Sequence, residues 1–148
     1  MRKRVVILGS TGSIGTSALT VARQIPERME VVGLAAGTRA SDLQAQAEEF
    51  GVDHVALACE EAAKNYHEAG GRGELQVGAE GLVALIEATK PDLVIVAIVG
   101  VEGLKPALRA VEMGCDLAVA SKEILVMAGE VVMAAAREKG VAVLPVDS

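Results

Sequence analysis

At 148 residues the chain is one domain's worth, since domains run to about 100–200 residues, and it can bury a sizeable core without disulfide or metal staples. Hydrophobic residues make up 51% and charged residues 23%, which excludes a disordered chain; with one Phe (Phe50), one Tyr (Tyr66) and no Trp, recognition of nucleic acid by base stacking is excluded too. A net charge of −6 argues against polyanion binding but leaves room for a small anion at a helix end or on a single Arg.

With so few aromatics, the core is expected to consist of Val, Ile, Leu, Ala and Met. Cys59 and Cys115 form no C-x-x-C pair and read as reduced packing residues of a cytoplasmic protein. Arg2-Lys3-Arg4 before Val5-Val6-Ile7-Leu8 imitates a signal peptide, but the apolar stretch is too short and runs into glycines. The longest apolar run, residues 93–101, is about half of a membrane span, so no membrane partner is expected.

Residues 4–8 read as the first strand, apolar almost throughout, as strands buried on both faces are. The turn Gly9-Ser10-Thr11-Gly12-Ser13-Ile14-Gly15 follows. A helix then carries Ile14, Ala18, Val21, Ala22 and Ile25 on one face, closed by Pro26. Residues 30–35 form the second strand, and Ser41 with Gln44 three residues later reads as a capping-box start to a helix. Strands are expected at 54–58 and, on weaker grounds, at 75–77 within the Gly-rich segment 66–81. A strand at 92–98 is followed by a helix lined by Leu104, Leu108 and Val111 and ended by Gly114. After a strand at 116–120, one last helix runs on an unbroken stripe from Ile124 to Ala136 and stops at Lys139-Gly140. The final strand is 141–146. Alternating strands and helices with short links predict an α/β fold: a Rossmann-like, doubly wound, mostly parallel sheet with helices on both faces. Residues 1–148 read as one domain. Its stop just after a buried strand suggests a piece of something longer.

The G-x-x-G-x-x-G turn lies between a strand and a helix, the context a dinucleotide site needs. Gly9 and Gly12 are expected to permit the tight turn and close approach of a ligand, and Gly15 close packing of helix on sheet. The free N–H groups of the first helical turn then favour a pyrophosphate. Without a Lys after Ile14 the turn is no P-loop. Tyr66 has Gly70, not Lys, four residues on, which excludes a short-chain dehydrogenase. After the second strand, Gly37-Thr38-Arg39 stands where NAD sites place a carboxylate, and a guanidinium there suits the 2′-phosphate of NADP. Val99-Gly100-Val101 ends the central strand, where backbone would pass a nicotinamide. Ser121-Lys122-Glu123 reads either as a holder of a phosphorylated substrate or as a plain helix start. Asp147-Ser148 offers one hard-cation ligand and a hydroxyl, which alone is no metal site. His54 and His67 have no partner pattern and read as surface or strand-edge residues.

Gly9-Ser-Thr-Gly-Ser-Ile-Gly15, Leu34-Ala-Ala-Gly37, Ala97-Ile-Val-Gly100, Ala120-Ser-Lys-Glu123 and Leu144-Pro-Val-Asp-Ser148, in this order, resemble the N-terminal region of the 1-deoxy-D-xylulose 5-phosphate reductoisomerase family. The resemblance implies an NADPH-binding domain of a homodimeric oxidoreductase/isomerase of isoprenoid biosynthesis. That enzyme takes a phosphorylated sugar and a divalent cation (Mg²⁺, Mn²⁺ or Co²⁺). It implies cofactor contacts for Thr11, Gly12, Ser13, Ile14, Gly37, Thr38, Arg39 and Glu123, substrate contacts for Lys122 and Ser148, and Asp147 as metal ligand. The family usually carries Asn where this chain has Ser121, a weaker cofactor assignment. The catalytic and C-terminal helical domains would follow Ser148, so the 148-residue chain alone is expected to be inactive. The alternatives are another NADP-dependent dehydrogenase, of homoserine dehydrogenase or dihydrodipicolinate reductase type, and a nucleotide-binding module without chemistry.

Overall fold

The computed structural model describes residues 2–146. They form strands β1 (Lys3–Leu8), β2 (Met29–Ala35), β3 (His54–Leu57), β4 (Glu74–Val77), β5 (Leu93–Val96), β6 (Asp116–Val119) and β7 (Val143–Pro145). The helices are α1 (Ser13–Gln24), α2 (Ala40–Phe50), α3 (Glu60–Glu68), α4 (Gly78–Thr89), α5 (Leu104–Glu112), α6 (Lys122–Met127) and α7 (Gly129–Lys139). The seven strands make one sheet in the order β4-β3-β2-β1-β5-β6-β7, and every neighbouring pair is parallel, so the sheet is wholly rather than mostly parallel.

The continuous apolar run of β1 has a direct physical reason. Val5 and Ile7 point into a core shared with Leu19 of α1, Leu43 of α2 and Tyr66 of α3. Val6 and Leu8 point the opposite way, to Leu85 of α4, Ala107 of α5 and Val132 of α7. Each such side chain withdrawn from water contributes about 1.5–3 kcal/mol, so both faces of β1 anchor the fold. The β1–β2 register slips between Val5 and Val6. Close by, a Cβ on Gly33 would press on Val6 and Leu85 at 3.1 and 3.2 Å, so α4 lies tightly over β2.

Four expectations need correction. Helix α2 starts at Ala40 with Arg39 as its N-cap and no side-chain cap, so Ser41 lies inside the first turn and builds no capping box. The last helix is two: Ala128, at φ −129° and ψ 12°, breaks the run between α6 and α7, and glycine, a poor helix former, follows it. The strand expected to reach Ile98 leaves the sheet after Val96, because the chain there turns into the loop that walls the site. The core does contain an aromatic side chain: Tyr66 is fully buried and donates to the Arg72 carbonyl at 2.7 Å. Cys115 is a packing thiol as expected, pushed up in pKa by burial and by nearby Asp92 and Asp116, while Cys59 is exposed. His54 sits at a strand start 3.7 Å from Glu74, and His67 in the last turn of α3. Among the described residues no helix is long and apolar enough to cross a membrane.

Candidate cofactor-binding site

The strand order reverses direction between β1 and β5, each flanked by strands that lead away on opposite sides. In open α/β sheets, ligands bind outside the carboxyl ends of the strands at such a point. The Gly9–Gly15 turn is built into this spot. The N–H groups of Gly9 and Ser10 both donate to the Ala35 carbonyl, at 2.8 and 2.9 Å, which ties the turn to the end of β2. Ala97 N–H donates to the Leu8 carbonyl at 2.8 Å, which ties the start of the β5–α5 loop to the end of β1.

The three glycines do different jobs. Gly9 has φ +92°, and a Cβ there would lie 2.5 Å from the Ala97 carbonyl oxygen, so the turn requires glycine. A Cβ on Gly15 would meet the Gly9 carbonyl oxygen at 2.1 Å, so the close seating of α1 on the turn requires glycine as well. Gly12 is under neither constraint. Its φ of −82° and ψ of 179° are ordinary extended backbone, and its nearest neighbour to an added Cβ is at 3.6 Å. The expectation that Gly12 serves the turn conformation is therefore corrected: the fold would accept a side chain there, and glycine leaves space instead.

That space belongs to a cleft of about 550 Å³, within the range of small-molecule and cofactor sites. Gly9, Gly12 and Gly37, which follow β1 and β2, line its floor together with Ala97, Val99 and Glu102 of the β5–α5 loop. Gly37 resembles Gly12: an added Cβ would meet nothing within 4 Å. The N-terminus of α1 opens beside this floor without a side-chain cap or any acidic residue in its first turn. Its N–H groups lack helical partners by construction, and the positive end of the helix is left bare. A bare helix start next to unfilled glycine space suits a pyrophosphate.

Thr38 and Arg39 lie around the corner from Gly37, lining a separate polar hollow with Asp42 and Asn65. Arg39 pairs with Asp42 at 2.7 Å and stays 66% exposed, so its guanidinium can reach an incoming phosphate. On the other side of the sheet's switch point, Ser121 caps α6 after β6, and Lys122 and Glu123 form the first turn of that helix. Lys122 is exposed, whereas one carboxylate oxygen of Glu123 is buried with no hydrogen-bond partner among the described residues. A buried acceptor left so is costly, and a bound group beside it would relieve that cost. Asp147 and Ser148 lie outside the described residues. Among those described, no three His, Cys, Asp or Glu side chains gather as metal ligands.

Sequence reasoning missed the contribution of α4. Gly78, Ala79 and Leu82 line the cleft from its first turns, but the Gly-rich stretch before it hid the helix start. Glu102 was missed as well; its position just past Gly100, in a loop leaving a switch-point strand, was the available signal.

Fold and cleft together define a Rossmann-like α/β domain with an open cleft at the switch point of its sheet. The model of the 1-deoxy-D-xylulose 5-phosphate reductoisomerase family matches residues 5–129, and the chain belongs to that family. The reductoisomerase of Desulfitobacterium hafniense is 43% identical over 99% of this chain and 39% of its own length. That of Symbiobacterium thermophilum is 46% identical over 100% and 40%. The structure of the Zymomonas mobilis reductoisomerase in complex with NADPH superposes with a TM-score of 0.91 at 35% identity, over 100% of this chain and 39% of that one. A biliverdin reductase from Synechocystis, at 22% identity and a TM-score of 0.68 over 96% and 37% of the two chains, shares the fold. The chain thus spans about two fifths of the length of the relatives it matches.

Proposed function

We propose that the chain is the NADPH-binding part of a reductoisomerase that rearranges and reduces 1-deoxy-D-xylulose 5-phosphate to 2-C-methyl-D-erythritol 4-phosphate. The observation that carries this reading is the bare start of α1 beside Gly12 and Gly37, two glycines the fold does not need and a cofactor does. In it, the backbone N–H groups of Thr11, Ser13 and Ile14 hold the pyrophosphate, as charge-assisted hydrogen bonds from a helix start do, and Gly12, whose own N–H is given to the Gly9 carbonyl at 3.2 Å, leaves it room. Gly37 lets the ribose lie against the end of β2, and Thr38 and Arg39 meet its 2′-phosphate. The β5–α5 loop lines the β5 side of the cleft through Ala97 and Val99, and the exposed Val99 side chain offers a bound nicotinamide an apolar surface. When bound there, NADPH supplies the hydride. Glu123 contacts the cofactor through its unpartnered oxygen, Lys122 and Ser148 hold the substrate, and Asp147 gives one carboxylate to a divalent cation. A cytoplasmic homodimer, as in the family resemblance, completes the reading.

The test is NADPH oxidation by the protein at its natural length, with Mg²⁺ or Mn²⁺ present. The reading requires oxidation that depends on 1-deoxy-D-xylulose 5-phosphate. Tight NADPH binding without turnover would support the module without chemistry instead.

A further inference from the structure

We propose that Ser121 is a positioning residue that locks the β5–α5 loop to the start of α6 and does not itself touch the cofactor. This rests on the proposed NADPH site. The Ser121 side chain is 5% exposed, and its hydroxyl is engaged twice within the chain. It donates to the Gly100 carbonyl at 2.7 Å and accepts from the Ile124 N–H at 3.3 Å, so it also caps α6. A hydroxyl has one proton, and here that proton is already given to Gly100.

The partner explains why the bond matters. Gly100 holds φ +86°, a left-handed conformation that sets the direction of its carbonyl, and it follows directly on Ala97, Ile98 and Val99 of the cleft wall. A second tie lies beside the first: a Cβ on Gly103 would stand 3.1 Å from Ile124 Cδ1, so the end of the loop packs on the same turn of α6. Loop and α6 start therefore move as one body, which carries Val99 on one side and Lys122 and Glu123 on the other. The hydroxyl sets how the wall stands relative to Lys122 and Glu123, while the turn at Gly12 and Gly37 anchors the cofactor independently.

The experiment is steady-state kinetics and NADPH titration on the natural-length protein, with Ser121→Ala and Ser121→Thr. Ser121→Ala should lower kcat about tenfold or more, since small misplacements at a reacting centre are costly. Its Kd for NADPH should change less than about threefold, because the pyrophosphate and 2′-phosphate contacts remain. Ser121→Thr keeps the hydroxyl and should restore kcat. An unchanged kcat in Ser121→Ala overturns the proposal. So does an NADPH affinity that falls as far as kcat, which would make Ser121 a cofactor contact. Failure of the wild type to bind NADPH at all is a separate result, and it removes the site together with the lock.

Discussion

At the scale of single residues, the decisive contrast is among neighbouring positions of one turn. Gly12→Val should weaken NADPH binding by roughly 10- to 150-fold, the value of a lost charge-assisted hydrogen bond. The side chain would fill the pyrophosphate's space without straining the backbone, whose angles any residue adopts. Ser10→Ala should bind almost as wild type, since the Ser10 hydroxyl is fully buried and has no partner among the described residues. Calorimetric titration of both variants decides; equal, small losses would mean that no nucleotide lies on this turn. Arg39→Ala should weaken NADPH about tenfold at low salt and leave NADH nearly unchanged, as NADH has no 2′-phosphate to meet. The tenfold is the low end for a charged partner because Arg39 is solvated and shared with Asp42. Equal weakening of both cofactors would assign Arg39 to the fold or the pyrophosphate.

At the scale of elements, legibility followed the strength of the periodic signal. All seven strands were readable: β1, β2, β3, β5 and β6 are short apolar runs with punctuated ends, while β4, partly exposed and in a Gly-rich segment, gave the weaker signal. Two helices were not assigned. In α3 the buried face is made of Ala62, Ala63 and Tyr66, too small or too singular to show a stripe. In α4 the first turn begins on Gly78 directly after β4, which reads as loop. The break at Ala128 was invisible because the apolar stripe continues across it while the backbone does not. The turn role of Gly9 and the packing role of Gly15 were legible, whereas Gly12 was not, for spacing identifies a turn but not which of its glycines the fold can spare. The distinction is measurable at the junction of β1 and α1. Gly15→Ala should destabilise the fold by about 1–3 kcal/mol, since its Cβ would strike backbone rather than a yielding side chain. In a domain this long that lowers Tm by roughly 2–12 °C. Gly12→Ala should fold with a loss below about 1 kcal/mol, that of a poorer N-cap. Thermal unfolding of the pair is the check, and equal Tm values would contradict the division of roles.

At the scale of the whole molecule, the sheet gathers the candidate site at one end. Its switch point places the α1 start, the Gly37–Arg39 corner and the β6–α6 junction around one end of the strands, yet the chain covers about two fifths of its relatives' length. The 148 residues by themselves should show no NADPH oxidation dependent on 1-deoxy-D-xylulose 5-phosphate with any divalent metal, because among the described residues no three His, Cys, Asp or Glu side chains gather as a metal site. Turnover above a no-protein blank in a coupled spectrophotometric assay would refute this. The order of motifs along the chain made the family legible, whereas the loop–helix lock at Ser121 depends on two positions 21 residues apart, which only the fold brings together. The most direct test of the account is a crystal structure of the natural-length protein with NADPH bound. The pyrophosphate oxygens should lie over Gly12, within hydrogen-bond distance of the backbone N–H groups of Thr11, Ser13 and Ile14, with the 2′-phosphate at Arg39. A pyrophosphate lying elsewhere, with the space over Gly12 and Gly37 left to solvent, would contradict it.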